Sequence, residues 1–504
     1  MTKSSIMAAL LASGALMALT TAAQAQAQAP EAAPVEEAVE VPAPPTPEES
    51  AAQAAFLEAQ IESMQAQIDA LKKQVATAQP SWKGAPQWVD KDAGWSFKVR
   101  GRLMYDVAYI DNPGLTYPAT TSTTVGTNKD LGFNSRVRRA RLGVEGTFPG
   151  GFNYKAEADF ASNAVSWADV FVEYKPGNSP FSARVGHFET FQSLEQITSS
   201  RHIMFLERAS MNEAFGHARR LGVAVGYDQG DLLFRAGIFN DTINSDLNND
   251  EWLFGARLVY APMMGSNQLH FGANYQHREL PSTGLSFRYR ARPFVTTTGT
   301  RFVDTNSWAA KSDDVFGLEA AGIFGPLHVA AEGQYVKANA YSPAFVFTGA
   351  DTPGFNSDGT VITRRLAGDP SFYSFYVEAG YWLTGETRGY KKGEWDRTKV
   401  LNGFDKGGFG AVGVNLRYDY LDLNDSKLFT GGVGTSTSRG GTQTGYLASL
   451  IWQPIDYVRI TAQYAHAEVE GGPSASVIKP TSTAPVNERS YGVDTFAMRF
   501  AYDF

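Results

Sequence analysis

The side chains best suited to chemistry in this chain are cationic, and they recur at alternate positions. Lys98, Arg100 and Arg102 are separated by Val99 and Gly101. Further on, Phe287-Arg288-Tyr289-Arg290-Ala291-Arg292 sets three arginines two apart with no acid between them, and Arg301 follows. On extended backbone, residues two apart leave the same face. A guanidinium stays charged at any physiological pH and grips a carboxylate or phosphate through two parallel N–H bonds. Such rows therefore read as surfaces for anions. Arg139, Arg141, Arg235 and Arg257, with Arg417, Arg459 and Arg499, fall out of phase with apolar neighbours in the same way. Glu145, Glu157, Asp159, Asp419 and Asp503 share that phase and can pair with them, and a paired guanidinium stiffens a wall without selecting ions. For residues 288–292 two settings stay open: the wall of a channel mouth, or an outer loop facing solvent and lipopolysaccharide phosphates.

Catalysis finds no comparable support. Of seven histidines, the sequence places His187 and His202 near a candidate inward loop, and neither accompanies a nucleophile motif. No glycine-rich phosphate cradle and no HExxH zinc spacing occurs. The expectation is a protein that is not an enzyme and carries no cofactor or metal, with no nucleic-acid partner.

The elements that must hold these cations are strands. Trp95, Phe97, Val99, Gly101, Leu103, Tyr105, Val107 and Tyr109 alternate with Ser96, Lys98, Arg100, Arg102 and Asp106, a strict period of two. The pattern returns at Ala140 to Phe148 and, across Pro149-Gly150-Gly151, at Phe152 to Phe160. It recurs around Val223, Leu258, Leu416 and Ile460, and the chain stops inside it at Phe496, Met498, Phe500, Tyr502 and Phe504. Alternation suits a soluble sandwich or a barrel with its apolar face toward lipid. Strand lengths near those needed to cross a bilayer, aromatic residues at strand ends and long polar loops between short turns favour the barrel. If so, apolar side chains face lipid, and Lys98, Arg100 and Arg102 face the lumen. Residues 95–504, at roughly 25 per strand and connection, yield about 16 strands. The fold class is an all-β transmembrane antiparallel barrel, preceded by a short coiled-coil helix.

Residues 1–25 carry Lys3, an apolar stretch and Ala23-Gln24-Ala25, the pattern of a secretory signal. Residues 26–47 are a Pro/Ala-rich linker. Residues 48–79 read as a coiled-coil helix, with Thr46 at the N-cap, Pro47 at the first helical position, and Leu57, Ile61, Met64, Ile68, Leu71 and Val75 spaced as an a/d seam. Docking of one amphipathic helix is the alternative. Residues 80–94 connect helix to barrel. The net charge of −8 is concentrated ahead of Ser81, where nine acids face three bases; the remainder holds 41 bases and 43 acids. Mean hydropathy is −0.25, and after the leader no apolar run is long enough for a spanning helix.

Several stretches resemble the phosphate-selective porins of the O and P type. The nearest is Arg184-Val-Gly-His-Phe-Glu-Thr-Phe-Gln-Ser-Leu-Glu-Gln-Ile-Thr-Ser-Ser, with Phe205-Leu-Glu-Arg-Ala and Arg219-Arg220-Leu-Gly. It resembles the constriction-loop region of that family and puts Glu189, Arg201 and Arg208 there. Phe133 to Leu142, Gly325-Pro-Leu-His-Val, Tyr381-Trp-Leu-Thr-Gly-Glu-Thr and Leu416 to Asp425 extend the likeness over the barrel. It implies a homotrimer of sixteen-stranded barrels, each narrowed by a loop after a strand near residue 187. Where the family often has a lysine, Glu189 stands here, and an acid there would weaken anion selectivity.

The expected function is passive diffusion of small solutes, with preference for anions such as phosphate or polyphosphate. The expected setting is the outer membrane of a Gram-negative bacterium, among lipid and lipopolysaccharide, with the N-terminal segment in the periplasm. A general or sugar-type porin is one alternative. A barrel anchored to the cell wall through its helix is another.

Overall fold

A computed structural model describes residues 46–78, 80–82, 84–114, 131–244, 251–279, 288–306, 308, 310–340, 368–428 and 439–504. The leader, all but the last two linker residues and Phe287 lie outside them. Sixteen strands form the barrel: β1 (Trp95–Ile110), β2 (Gly132–Phe148), β3 (Phe152–Asp159), β4 (Ser166–Tyr174), β5 (Phe181–Glu189), β6 (Arg219–Gln229), β7 (Leu232–Phe239), β8 (Trp252–Tyr260), β9 (Asn267–Glu279), β10 (Ser312–Phe324), β11 (Leu327–Asn339), β12 (Ser371–Trp382), β13 (Ala411–Asp422), β14 (Thr442–Ile455), β15 (Val458–Glu470) and β16 (Ser490–Asp503). Each pairs antiparallel with its sequence neighbours. β16 returns to β1, with Phe500 opposite Tyr105, so the sheet closes and leaves no barrel edge unpaired. The last residue takes part: Phe504 and Gly101 exchange backbone bonds of 3.0 and 3.1 Å. Ahead of β1, Pro86–Asp90 folds back on it, pairing Gln87 with Lys98.

The two-residue rhythm decides which side chains meet which solvent. On β1, Leu103, Tyr105 and Tyr109 are 40–50% exposed on the outer surface, whereas Arg100, Arg102 and Asp106 are buried inside. The register then carries one outward belt across six strands: Leu416, Ala448, Tyr464, Phe496, Tyr109 and Phe133 are successive cross-strand partners. Lipid-facing positions of a spanning barrel have this composition. One irregularity matters to the interior. On β2, Met104 faces Arg139 while Tyr105 faces Val137, so Arg138 is the extra residue of a bulge. A bulge re-aims side chains, and both Arg138 and Arg139 turn inward, the former onto Glu207 at 2.8 Å.

One rim carries short turns, such as 149–151 and 325–326; the other carries the longer connections. Among the described residues, three connections enter the lumen. Residues 190–218, between β5 and β6, contain two short helices, Leu194–Ile197 and Ser210–Ala214. The first is capped by Ser193, which accepts from Gln196 N, and by the wall carboxylate of Glu332, which accepts from the N–H groups of Leu194 and Glu195 at 2.8 and 2.9 Å. The segment leaves and rejoins the wall at Phe191 and Ala218, both in the left-handed backbone region (φ 65 and 53), a conformation held in place only by its surroundings. Residues 288–311, between β9 and β10, pack Tyr289, Phe294, Phe302 and Trp308 with Phe205 and Phe215 of the first segment into one buried cluster. Residues 383–410, between β12 and β13 on the short-turn rim, push a hairpin inward. The Arg388 guanidinium lies 3.7 Å over the Trp395 ring, and the Trp395 backbone N–H donates to Thr198 Oγ1 at 3.2 Å.

The N-terminal unit is a helix, Pro47–Ala78. Phe56, Leu57, Ile61, Met64 and Ile68 are all exposed on it. Among the described residues, no helix is long and apolar enough to cross a membrane, which says nothing of strands.

Candidate functional site: a cationic cavity in the lumen

Within the lumen lies a cavity of about 440 Å³ against strands β1 to β8, bounded also by residues of the 190–218 and 383–410 segments. Thirteen of its lining residues are arginine or lysine and five are acidic. A concave wall of one sign, partly shielded from solvent, focuses its field on what enters.

On β1 and β2, Arg100, Arg102 and Arg141 converge on Glu157, at 3.2, 3.3 and 3.0 Å. Arg100 also pairs with Glu145, and Arg141 with Asp159 at 2.7 Å. Arg102 further donates to Ser200 Oγ at 2.8 Å. These three guanidiniums line the cavity, but Glu157 stands behind them, almost fully buried. Arg139 differs. It is 4% exposed, among the described residues no carboxylate lies within the 4 Å of an ion pair, and its guanidinium donates to Met104 Sδ at 3.8 Å. Two more lining arginines touch only backbone oxygens: Arg235 those of Tyr227 and Phe234, and Arg208 those of Glu195 and Thr198 at 2.8 and 2.7 Å. Arg257 is held by both oxygens of Glu319 and by Gly393 O. Arg201 reaches Asp503 at 3.2 Å. Lys98 stands inside, opposite Glu145 in register, but does not line the cavity.

Three expectations need correction. Glu189 ends β5, and its carboxylate pairs with Arg219 at 2.7 Å and accepts from Gln196; it is not a lone acid in a constriction. The arginines of 288–292 are not an unbalanced cluster either. Asp304 grips Arg288 at 2.6 Å, and Glu213 pairs with Arg292 and lies 3.6 Å from Arg301. Asp304 lies later in the same connection and Glu213 in the 190–218 segment, so inspection of the run itself shows neither. Arg290 alone has no carboxylate within that range. None of the four lines the cavity. Among the histidines, His187 lies on β5, bonded to Ala168 O and Thr242 Oγ1, and the inward segment also holds His217.

Lys155, Arg184, Arg219, Lys391 and Lys392 line the cavity without having been singled out. Lys155 sits in phase with the inward residues of β3, and Arg184 and Arg219 stand within the motif quoted for the inward loop, so both signals were in the sequence. Lys391 and Lys392 lie in a connection with no periodicity. Off the strands, burial pushes the Glu394 carboxyl up to about 7, against the pull of Arg257, Arg184, Lys155 and Arg235. Burial, with Arg201, Arg397 and Arg459 nearby, holds His202 well below the ordinary imidazole value, so it is neutral at physiological pH. Among the described residues no group of three His, Asp or Glu is arranged to hold a metal.

Comparison with known proteins bears on this architecture. A protein of Caulobacter vibrioides, itself uncharacterized, is 35% identical over 442 residues, covering 85% of this chain and 78% of its own. Porin O of Pseudomonas aeruginosa is 26% identical over 425 residues, 77% of this chain and 86% of its own. Among solved structures, the outer membrane channel DcaP of Acinetobacter baumannii aligns over 82% of this chain and 99% of its own, at 13% identity and a TM-score of 0.45. The model of one family, phosphate-selective porin O and P, matches residues 97–504, the barrel from its first strand to its last residue. The closed barrel of sixteen strands, its inward loop and this match agree: the chain belongs to the phosphate-selective porin O and P family and is a porin of the Gram-negative outer membrane.

Proposed function

We propose that the porin conducts small solutes passively and prefers anions. The observation that carries this is the lining of the cavity, thirteen bases to five acids, in which Arg139, Arg208 and Arg235 have no carboxylate partner among the described residues. A buried guanidinium without a counter-charge is costly, and a permeant anion supplies the missing charge in transit. Binding shared among several such groups stays weak enough for release. A second reading, a general porin, is favoured by the pairing of Arg100, Arg102 and Arg141 with Glu157. Ion substitution separates the two in planar bilayers. Replacing chloride by a bulky sulfonate is expected to lower single-channel conductance severalfold, while replacing potassium by lithium changes it little. The reverse dependence sinks the anion reading.

In this proposal the long loops face the cell exterior, and the short turns and the N-terminal helix face the periplasm. The assembly is a homotrimer. Strands β3, β4, β5, β7 and β8 have only eight or nine residues against twelve to seventeen for β1, β2 and β9–β16. Strands that short barely cover a bilayer's apolar band, which suits an arc covered by neighbouring copies. The exposed seam on Pro47–Ala78 supports the same assembly, by pairing between copies.

A further inference from the structure

The alternation that puts polar residues inside fails along one arc of the barrel. On β4, β5, β7 and β8 the inward phase carries Phe171, Phe188, Leu233 and Val259, and all four line the cavity. Part of this is structural: Phe188 and Phe239 pack against Phe191, with ring centroids 5.3–5.9 Å apart, and so seat the inward loop. Phe171 packs against that cluster, and Leu233 and Val259 are cross-strand partners that also face the cavity. Phe171 is partly exposed, and the Arg184 guanidinium is 4.3 Å over its ring, fixed by Glu173 at 2.5 Å. The cavity thus has an apolar patch set among cations: β4, β7 and β8 supply Phe171, Leu233 and Val259, and Arg235 and Arg257 stand two residues from the last two on the same inward face. A hydrated inorganic ion gains nothing from phenyl and isopropyl groups, whereas an apolar body laid against them leaves water. About 440 Å³ is ample for a molecule the size of an aromatic acid.

We infer that the preferred permeants are organic anions with an apolar body, such as aromatic or medium-chain carboxylates, their heads at Arg235 and their bodies along Phe171, Leu233 and Val259. This rests on the anion preference proposed above and adds the class of anion. The test uses the full-length porin in planar bilayers, with chloride current titrated by potassium acetate, butyrate, hexanoate and benzoate. Benzoate is expected to reduce the current at about three- to tenfold lower concentration than acetate, the gain from partial burial of one ring, with potency rising from acetate to hexanoate. In Phe171→Ser the benzoate-to-acetate ratio is expected to fall toward one. Equal potency of all four acids in an anion-preferring channel overturns this inference and leaves the anion reading standing; a cation-preferring channel overturns both. An unchanged ratio in an assembled Phe171→Ser overturns the assigned wall. If that variant does not assemble, the wild-type chain-length series decides alone.

Discussion

Arg139 and Arg417 are both buried lumen arginines, and the structure assigns them opposite fates on substitution. Arg417 bonds both Glu195 on the inward loop and Glu378 on the wall, the latter at 2.5 Å. Arg417→Met leaves the buried Glu195 without a cation and Glu378 with Arg388 alone, at a cost of about 3–5 kcal/mol. Arg139→Gln strands nothing, because no carboxylate leans on Arg139. It should leave the unfolding temperature unchanged or raise it. Its effect falls on the permeant. A unit charge ~6 Å from an anion contributes about 0.7 kcal/mol at the dielectric of water and about 3 kcal/mol at an effective dielectric of ~20. The cavity is open to solvent, so the lower end governs, and at about 1.4 kcal/mol per tenfold the anion-over-cation permeability ratio should drop about three- to tenfold. Zero-current potentials in bilayers and thermal unfolding in detergent read the two effects separately. If Arg139→Gln loses stability as Arg417→Met does and keeps its selectivity, the reasoning from missing counter-charges is refuted.

Four other outcomes are expected. With Glu394 titrating at about 7, its charge is present above that pH and lost below it, so anion preference should rise as pH falls from 8 to 6; Glu394→Gln should abolish that step, and a step in the opposite direction contradicts the assignment. Trp395→Ala removes the ring under Arg388, so single-channel conductance should increase; an unchanged conductance would mean that the 383–410 hairpin does not narrow the passage. Leu416→Arg, at a site 66% exposed on the outward belt, should destabilise membrane insertion by about 2–4 kcal/mol if the position is near the midplane, and refolding titrations into lipid vesicles measure it. Deleting residues 48–79 should lower the temperature at which trimers dissociate on native gels while conductance per barrel holds; an envelope defect with trimers intact would instead favour a tether to the cell wall.

How much was legible in the sequence depends on how far the responsible interaction reaches along the chain. The strands were, because period-two alternation is local: the inward positions of Arg100, Arg102, Arg141 and Arg257 follow from apolar neighbours one residue away. Counter-charges were not. Asp304 lies sixteen residues from Arg288, and Glu213 seventy-nine from Arg292, so a run free of acids in sequence is ringed by them in space. Parity also fails where both faces are apolar. Leu232, Leu233 and Phe234 show no phase, and Leu233 turns to the cavity while its neighbours face outward. The bulge at Arg138 breaks phase within one strand. The hairpin at 383–410, polar and glycine-containing, carries no sign that it folds inward, since that depends on Arg388 meeting Glu378 and on Trp395 meeting the loop from the opposite rim.

The account rests on the sign of the field inside the barrel. The zero-current potential of the wild-type porin across a potassium chloride gradient measures it most directly: the dilute side should become negative, chloride outrunning potassium. A positive dilute side would contradict the anion preference and every role given to the unpaired arginines.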